Sequence, residues 1–134
     1  MTTHASGTFN VKLTPQAPDD DRPESAAVGR LVIDKQFHGD LEATSKGQML
    51  AVRTAVAGSA GYVAMEQVSG TLHGRNGTFA LQHSGTMTRG TPTLTVSVVP
   101  DSGTGELAGL AGEMKIIVAD GKHSYELQYQ LSES

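Results

Sequence analysis

The sequence predicts an all-β protein: a single antiparallel, up-and-down β-barrel of about eight strands that forms one domain over residues 1–134. Apolar and polar residues alternate along most of the chain, as in strands with one buried and one wet face, and helical periodicity is almost absent. Short turn signals separate the alternating runs. The 134 residues suit one domain, and 16 glycines without a tryptophan suit a turn-rich sheet. Eight such strands would close into a barrel without exposed edges, and an open sandwich is the alternative.

We predict the strands in chain order from apolar residues at alternate positions, whose side chains share one face; we call this shared face their parity. The first two runs carry Phe9, Val11 and Leu13, then Leu31, Ile33 and Phe37. The stronger runs after Gly61 have these inward residues: Tyr62, Ala64, Val68 and Leu72; Phe79 and Leu81; Leu94, Val96 and Val98; Met114, Ile116 and Val118; Tyr125, Leu127, Tyr129 and Leu131. Each set would form one apolar face.

The turns set the predicted registers. Gly74 and Gly77 would close the first hairpin of the strong region, so that Leu72 faces Phe79 and Val68 faces His83. The turn at 89–90 places His83 opposite Val96, and the turn at 120–121 places Ile116 opposite Tyr125, Val118 opposite His123 and Met114 opposite Leu127. Every predicted register places inward residues of one strand opposite inward residues of the next. A slip of one residue would place inward residues opposite outward ones.

Two segments do not fit the strand pattern. Residues 15–25 hold three of the five prolines and four acids, and we predict a long exposed loop there. Residues 102–112 are too rich in glycine for a long strand, so we predict a turn that lays Leu107 and Leu110 over one end of the barrel.

Composition excludes several classes of function. The net charge is −4 and no basic cluster is present, which argues against a nucleic-acid partner. The absence of cysteine excludes disulfides and thiol chemistry. No apolar run approaches the roughly 20 residues of a membrane span, and the first residues lack the apolar core of a signal peptide, so we expect a cytoplasmic protein without a membrane partner. No zinc, calcium, nucleotide or serine-hydrolase pattern appears, and no metal or cofactor is predicted.

A few ionisable groups fall on the apolar face, and they are the candidate site. Glu66 and His83 would be diagonal neighbours across one hairpin, within reach of each other, and we predict them as catalytic or hydrogen-bonding residues. A buried carboxylate is costly unless it is paired. The alternative is a structural Glu–His pair inside a filled barrel. The inward residues predicted to bind a ligand are Tyr62, His123, Tyr125 and Tyr129, with His123 at the rim.

Five segments resemble a bacterial family of small proteins of unknown function: 61–66 (GYVAME), 70–79 (GTLHGRNGTF), 81–85 (LQHSG), 98–112 (VVPDSGTGELAGLAG) and 121–127 (GKHSYEL). The resemblance covers most of the chain after Phe37. It implies a barrel similar to allene oxide cyclase and the dirigent proteins, related in shape to lipocalins and avidin. Residues 103–112 also resemble the turn that those barrels carry before their last strands. Allene oxide cyclases use a buried Glu, but their cysteine has no counterpart here.

Three functions follow from these features. The first is a cytoplasmic barrel that binds a small apolar molecule in its interior, with Glu66, His83 and a tyrosine fixing its orientation. The second is an isomerase or cyclase in which Glu66 or His83 moves a proton. The third is a filled structural barrel that acts through homo-oligomerisation, as a dimer or trimer, with the region around Val52 or Val56 as its contact surface.

Overall fold

Eight antiparallel strands form a closed barrel in the computed structural model, which describes residues 2–16 and 28–131. Each strand pairs with its neighbours in chain order, and the last pairs with the first. The strands are β1 (Thr3–Gln16), β2 (Val28–Gly39), β3 (Leu41–Arg53), β4 (Ala60–Leu72), β5 (Arg75–Thr88), β6 (Thr91–Val98), β7 (Leu110–Ala119) and β8 (Lys122–Leu131). The predicted fold class, an all-β up-and-down barrel of about eight strands, is confirmed.

The alternation in the sequence produces the core directly. Along β2 to β5 buried residues alternate with exposed ones, so one parity fills the barrel and the other faces water. Phe37, Phe79 and Leu127 are among the most deeply buried side chains. The barrel is therefore packed by side chains over much of its length, as expected for eight strands.

The predicted registers are correct at two hairpins and wrong at one. His83 pairs with Val96, and Ile116 pairs with Tyr125, as expected. The hairpin between β4 and β5 instead turns at His73 and Gly74, and Leu72 pairs with Arg75 rather than Phe79. Both turn residues have positive φ, 46° and 80°, which is the two-residue geometry whose twist matches paired strands.

This correction keeps the parity of the prediction. Val68 pairs with Phe79 and not with His83, while Glu66 pairs with Leu81. His83 therefore remains the diagonal neighbour of Glu66, one inward position away. The inward faces survive because the register differs by an even number of residues.

The two ends of the barrel differ. At the capped end a 3-10 turn, Gly105–Leu107, lies within the predicted 102–112 segment, and Leu107 and Leu110 are buried. At the open end lie the turns between β3 and β4, β5 and β6, and β7 and β8. Of the predicted loop at 15–25, the first two residues belong to β1, and the others lie outside the described residues. In the described ranges, no helix has the length and apolar character that a membrane crossing requires.

Candidate functional site

Four buried polar side chains from four consecutive strands meet inside the barrel. They are Lys35 of β2, Ser45 of β3, Glu66 of β4 and His83 of β5, with 7%, 3%, 1% and 4% of their surface exposed. The structure thus brings together Glu66 and His83, as the sequence predicts. Sequence analysis missed Lys35 and Ser45. The signal for Lys35 was its position between the inward Ile33 and Phe37, where an ionisable residue is unexpected. Ser45 also has inward parity, but a serine there does not stand out.

Glu66 is the centre of this ionic cluster, which we define as Lys35, Ser45, Glu66 and His83. Its Oε2 accepts from Lys35 Nζ at 3.0 Å and from His83 Nε2 at 2.5 Å. Its Oε1 accepts from the Ser45 hydroxyl at 2.6 Å. The register explains the convergence: Lys35 and Ser45 are direct partners, and Ser45 and His83 flank Glu66 diagonally on its two neighbouring strands.

Aromatic rings complete the surroundings of the lysine. Lys35 Nζ lies 4.8 Å from the centre of the Phe9 ring and 5.3 Å from that of Phe37. Ring faces attract a cation, so they help to hold an ammonium group that has little contact with water. The charge of Lys35 therefore interacts with Glu66 and the two aromatic rings and is not directed to solvent.

Glu66 is ionised at neutral pH. Burial alone would raise its pKa, but the hydrogen bond from His83, the charge of Lys35 and the hydrogen bond from Ser45 together outweigh burial and lower the pKa to about 2. A buried carboxylate with three donors and an adjacent cation satisfies the requirement that buried charges be paired.

The ionised Glu66 fixes the proton on His83. A carboxylate can only accept, so Nε2 must carry the proton, and in the neutral ring Nδ1 is then an acceptor. In the described part of the chain, His83 Nδ1 and the Tyr62 hydroxyl have no hydrogen-bond partner, and no side-chain nitrogen or oxygen is both fully buried and unpartnered. Neither atom is therefore fully buried.

Tyr62 connects the ionic cluster to the open end. Its ring centre lies 6.3 Å from that of His83, and burial together with the charge of Glu66 raises its pKa. Tyr62 pairs with Gly85 of β5. A Cβ atom at Gly85 would lie 2.6 Å from Tyr62 Cε1, so the glycine provides the space that the ring occupies.

An apolar cavity of about 290 Å³ opens beyond Tyr62 at the mouth of the barrel. We call it the mouth pocket. Its wall consists mainly of inward residues of β3 to β6, and the lining residues are Met49, Ala51, Val52, Arg53, Ala60, Gly61, Tyr62, Gly85, Thr86, Met87, Pro92, Thr93 and Leu94. Tyr62 lines this pocket and also lies beside His83.

The other predicted ligand-binding residues lie elsewhere. The Tyr125 hydroxyl accepts from the backbone N–H of Leu41 at 2.9 Å and lies 3.0 Å from the carbonyl oxygen of His38, so it fastens the β2–β3 turn at the capped end. The Tyr129 hydroxyl is hydrogen-bonded to His73 Nδ1 at 2.5 Å. His123 packs its ring 5.2 Å from Phe9. These three residues are not brought together with Tyr62.

A family model and a crystal structure match this chain. The family model described as "Protein of unknown function (DUF3224)" matches residues 5–129. The chain belongs to the DUF3224 family. A crystal structure of a DUF3224 protein of unknown function from Shewanella oneidensis MR-1 is similar to it, with 48% identity, full coverage of both chains and a TM-score of 0.92. No curated protein matches the chain.

The resemblance inferred from the sequence motifs is thereby confirmed at the level of the family. The DUF3224 name carries no activity, so the chemistry must be argued from the site. Over residues 2–16 and 28–131 no group of three or more His, Cys, Asp or Glu side chains is arranged to hold a metal ion. The ionic cluster and the mouth pocket are the features of this DUF3224 protein on which we base a function.

Proposed function

We propose that this protein binds a small, mostly apolar molecule in the mouth pocket. The observation that carries the proposal is the position of Tyr62, which lines an apolar cavity and lies beside a buried histidine whose Nδ1 has no partner. Ligand sites are typically apolar concave surfaces with a few polar groups that fix orientation. The mouth pocket supplies the apolar wall and the Tyr62 side chain, and we expect a ligand that extends past Tyr62 to meet His83, which lies beside it.

The size of the cavity sets the size of the ligand. A cavity of roughly 150 Å³ holds one benzene ring, and the mouth pocket measures about 290 Å³. We therefore expect a molecule of about two fused rings, or an aliphatic chain of similar volume. Such a ligand would cover the inward faces of Met49, Met87 and Leu94.

The methionines provide an internal test of this proposal. Met49 and Met87 line the mouth pocket, Met65 is exposed on the outside of β4, and Met114 is buried in the core. With carbon-13 in the methionine methyl groups, naphthalene or its derivatives should shift the Met49 and Met87 signals and leave Met65 and Met114 almost unchanged. No shift at any methionine, or the largest shift at Met65, would contradict the proposal.

Native mass spectrometry of protein purified from its own host would identify a natural ligand. We expect a bound molecule that is released by organic extraction and that is lost from a Gly85→Val variant, in which the pocket is narrowed. Ser84→Ala is the matched control, because Ser84 lies between His83 and Gly85 but is exposed on the outer face. The same spectrum reports the oligomeric state.

Proton transfer is a second candidate function, and the Glu66–His83 hydrogen bond favours it. An ionised Glu66 that holds the Nε2 proton leaves Nδ1 as a base oriented by a carboxylate. In an isomerase of this kind, Nδ1 would remove a proton from the substrate and return it at a second position. Glu66→Gln should then lower the rate by roughly 10² or more, whereas a pure binder should keep most of its affinity.

The outer surface gives some support to homo-oligomerisation as well. Leu50 and Val63 are cross-strand partners on the outside of β3 and β4, and they are 46% and 52% exposed, with Met65 beside them at 49%. Val52 and Val56 are also exposed. Clustered apolar residues on an outer face are typical of association surfaces. Light scattering of the wild type and of Val63→Lys would show whether a dimer or trimer depends on this face.

A further inference from the structure

We infer that the ligand of the mouth pocket carries a hydroxyl group, as a neutral alcohol or phenol does, and that this hydroxyl donates to His83 Nδ1 and accepts from Tyr62. The inference rests on the proposed function, because it names the chemical class of molecule that the same pocket takes. Three features carry it: the charge balance of the ionic cluster, the three donors already bound to its carboxylate, and the two unpartnered polar atoms of His83 and Tyr62.

The charge balance argues against an anionic ligand. Lys35 Nζ is bound to Glu66 and lies against the faces of Phe9 and Phe37, so it does not present a free cation to the pocket. Lys35 and Glu66 already neutralise each other. We take His83 as neutral here, because a second cation would leave an unbalanced charge in an apolar interior, which is costly. A ligand carboxylate placed at His83 would meet the charge of Glu66, whereas Arg53, the cation among the lining residues, lies exposed at the end of β3.

The hydrogen-bonding groups argue against a ligand that can only accept. Both oxygens of Glu66 already accept hydrogen bonds, Oε1 from Ser45 and Oε2 from Lys35 and His83, and a carboxylate has no proton to donate to a ligand. The atoms left are His83 Nδ1, which in the neutral ring can only accept, and the Tyr62 hydroxyl, which can donate. A hydroxyl group satisfies both at once. An ether or ketone would leave Nδ1 unpaired, and sites built for a hydroxyl reject analogues that lack it.

A matched series of two-ring compounds tests the inference on the wild-type protein. The compounds are 2-naphthol, 2-methoxynaphthalene, 2-naphthoate and naphthalene, which share one apolar body and differ in the polar group. Affinities are measured from the Met49 and Met87 methyl signals, and the fluorescence of naphthol can be followed as well because the chain has no tryptophan. We expect 2-naphthol to bind about tenfold more tightly than each of the others.

A variant locates the preference. Tyr62→Phe keeps the ring and removes the hydroxyl, so it should reduce the preference for 2-naphthol over naphthalene by about fivefold while naphthalene still binds. Ser84→Ala, which removes an outward hydroxyl from the same part of the barrel, should change nothing. Because the ligand series is measured on the wild type, the test does not depend on the folding of any variant.

The outcomes separate the two proposals. Tighter binding of 2-naphthoate or 2-methoxynaphthalene would overturn the hydroxyl inference, and so would equal binding of all four compounds, although the pocket would remain a binding site. If no compound shifts Met49 or Met87, the proposed function fails and the inference fails with it. A preference for 2-naphthol that Tyr62→Phe does not reduce would also overturn the assignment to Tyr62.

Discussion

Replacement of the buried Lys35 should destabilise the barrel more than the same replacement of an exposed lysine. Lys35→Met keeps an unbranched side chain between Phe9 and Phe37 but leaves the Glu66 carboxylate without its cation. Loss of one partner from a buried ion pair costs about 3–5 kcal/mol, because the remaining charge is uncompensated. That is a large part of the roughly 5–15 kcal/mol that stabilises a typical domain.

The structure gives an independent scale for this effect. The pKa of Glu66 is lowered from 4.5 to about 2 by His83, Lys35 and Ser45 together. At roughly 1.4 kcal/mol per pKa unit, this corresponds to about 3 kcal/mol of extra stabilisation of the ionised carboxylate. Lys35 supplies a part of that sum, and the cost of leaving the charge buried is added to it.

Urea unfolding followed by circular dichroism measures the effect. Lys46→Met is the matched control, since Lys46 is exposed on β3, and it should change the free energy of unfolding by less than about 0.5 kcal/mol. The double variant Lys35→Met with Glu66→Gln should recover part of the loss, because no unpaired charge remains. A cost below about 1 kcal/mol for Lys35→Met, or strict additivity in the double variant, would refute the reasoning.

Three further outcomes are expected. The pKa of Glu66 is lower in the folded protein than in the unfolded chain, so its ionised form stabilises the fold by about 3 kcal/mol above pH 4.5. This stabilisation is lost as the pH falls from 4.5 to about 2. In urea unfolding, the stability of Glu66→Gln should therefore depend less on pH across that window than the stability of the wild type. Gly85→Val should displace the Tyr62 ring and weaken 2-naphthol binding at least tenfold in methyl-group titrations; unchanged affinity would contradict the position of the pocket. Tyr125→Phe should cost about 1–3 kcal/mol in urea unfolding, because it leaves the backbone N–H of Leu41 without its partner, and a negligible cost would show that the turn does not need this hydroxyl.

The barrel was predictable because its strands are long and strictly alternating. Residues such as Phe79, Leu81 and Leu127 mark the inward face without ambiguity, and closure follows when eight such strands must hide their edges. The register of the β4–β5 hairpin was not predictable from glycine positions alone. The chain turns two residues earlier than predicted, at His73 and Gly74, where both residues have positive φ, and histidine is not a residue that marks such a turn in a sequence.

The candidate site was only half predictable. Glu66 and His83 stand out because ionisable groups interrupt an apolar parity, and the same rule applied to β2 would have found Lys35. Ser45 gives no such signal, since serine is common on either face of a strand. Tyr125 and Tyr129 show the limit of parity: they point inward, yet the hydroxyls bond to the turn at Leu41 and to His73. Parity predicts whether a side chain points into the barrel. It does not predict which end of the barrel the side chain reaches or which group it contacts there.

The most direct test of the account is nitrogen-15 NMR of the histidine rings at about pH 8, with His83 assigned by its loss in His83→Gln. We expect Nε2 to carry the proton and Nδ1 to carry none, and we expect 2-naphthol to shift the Nδ1 signal. A proton on Nδ1 in the free protein, or an Nδ1 signal that 2-naphthol leaves unchanged while Met49 and Met87 shift, would contradict it.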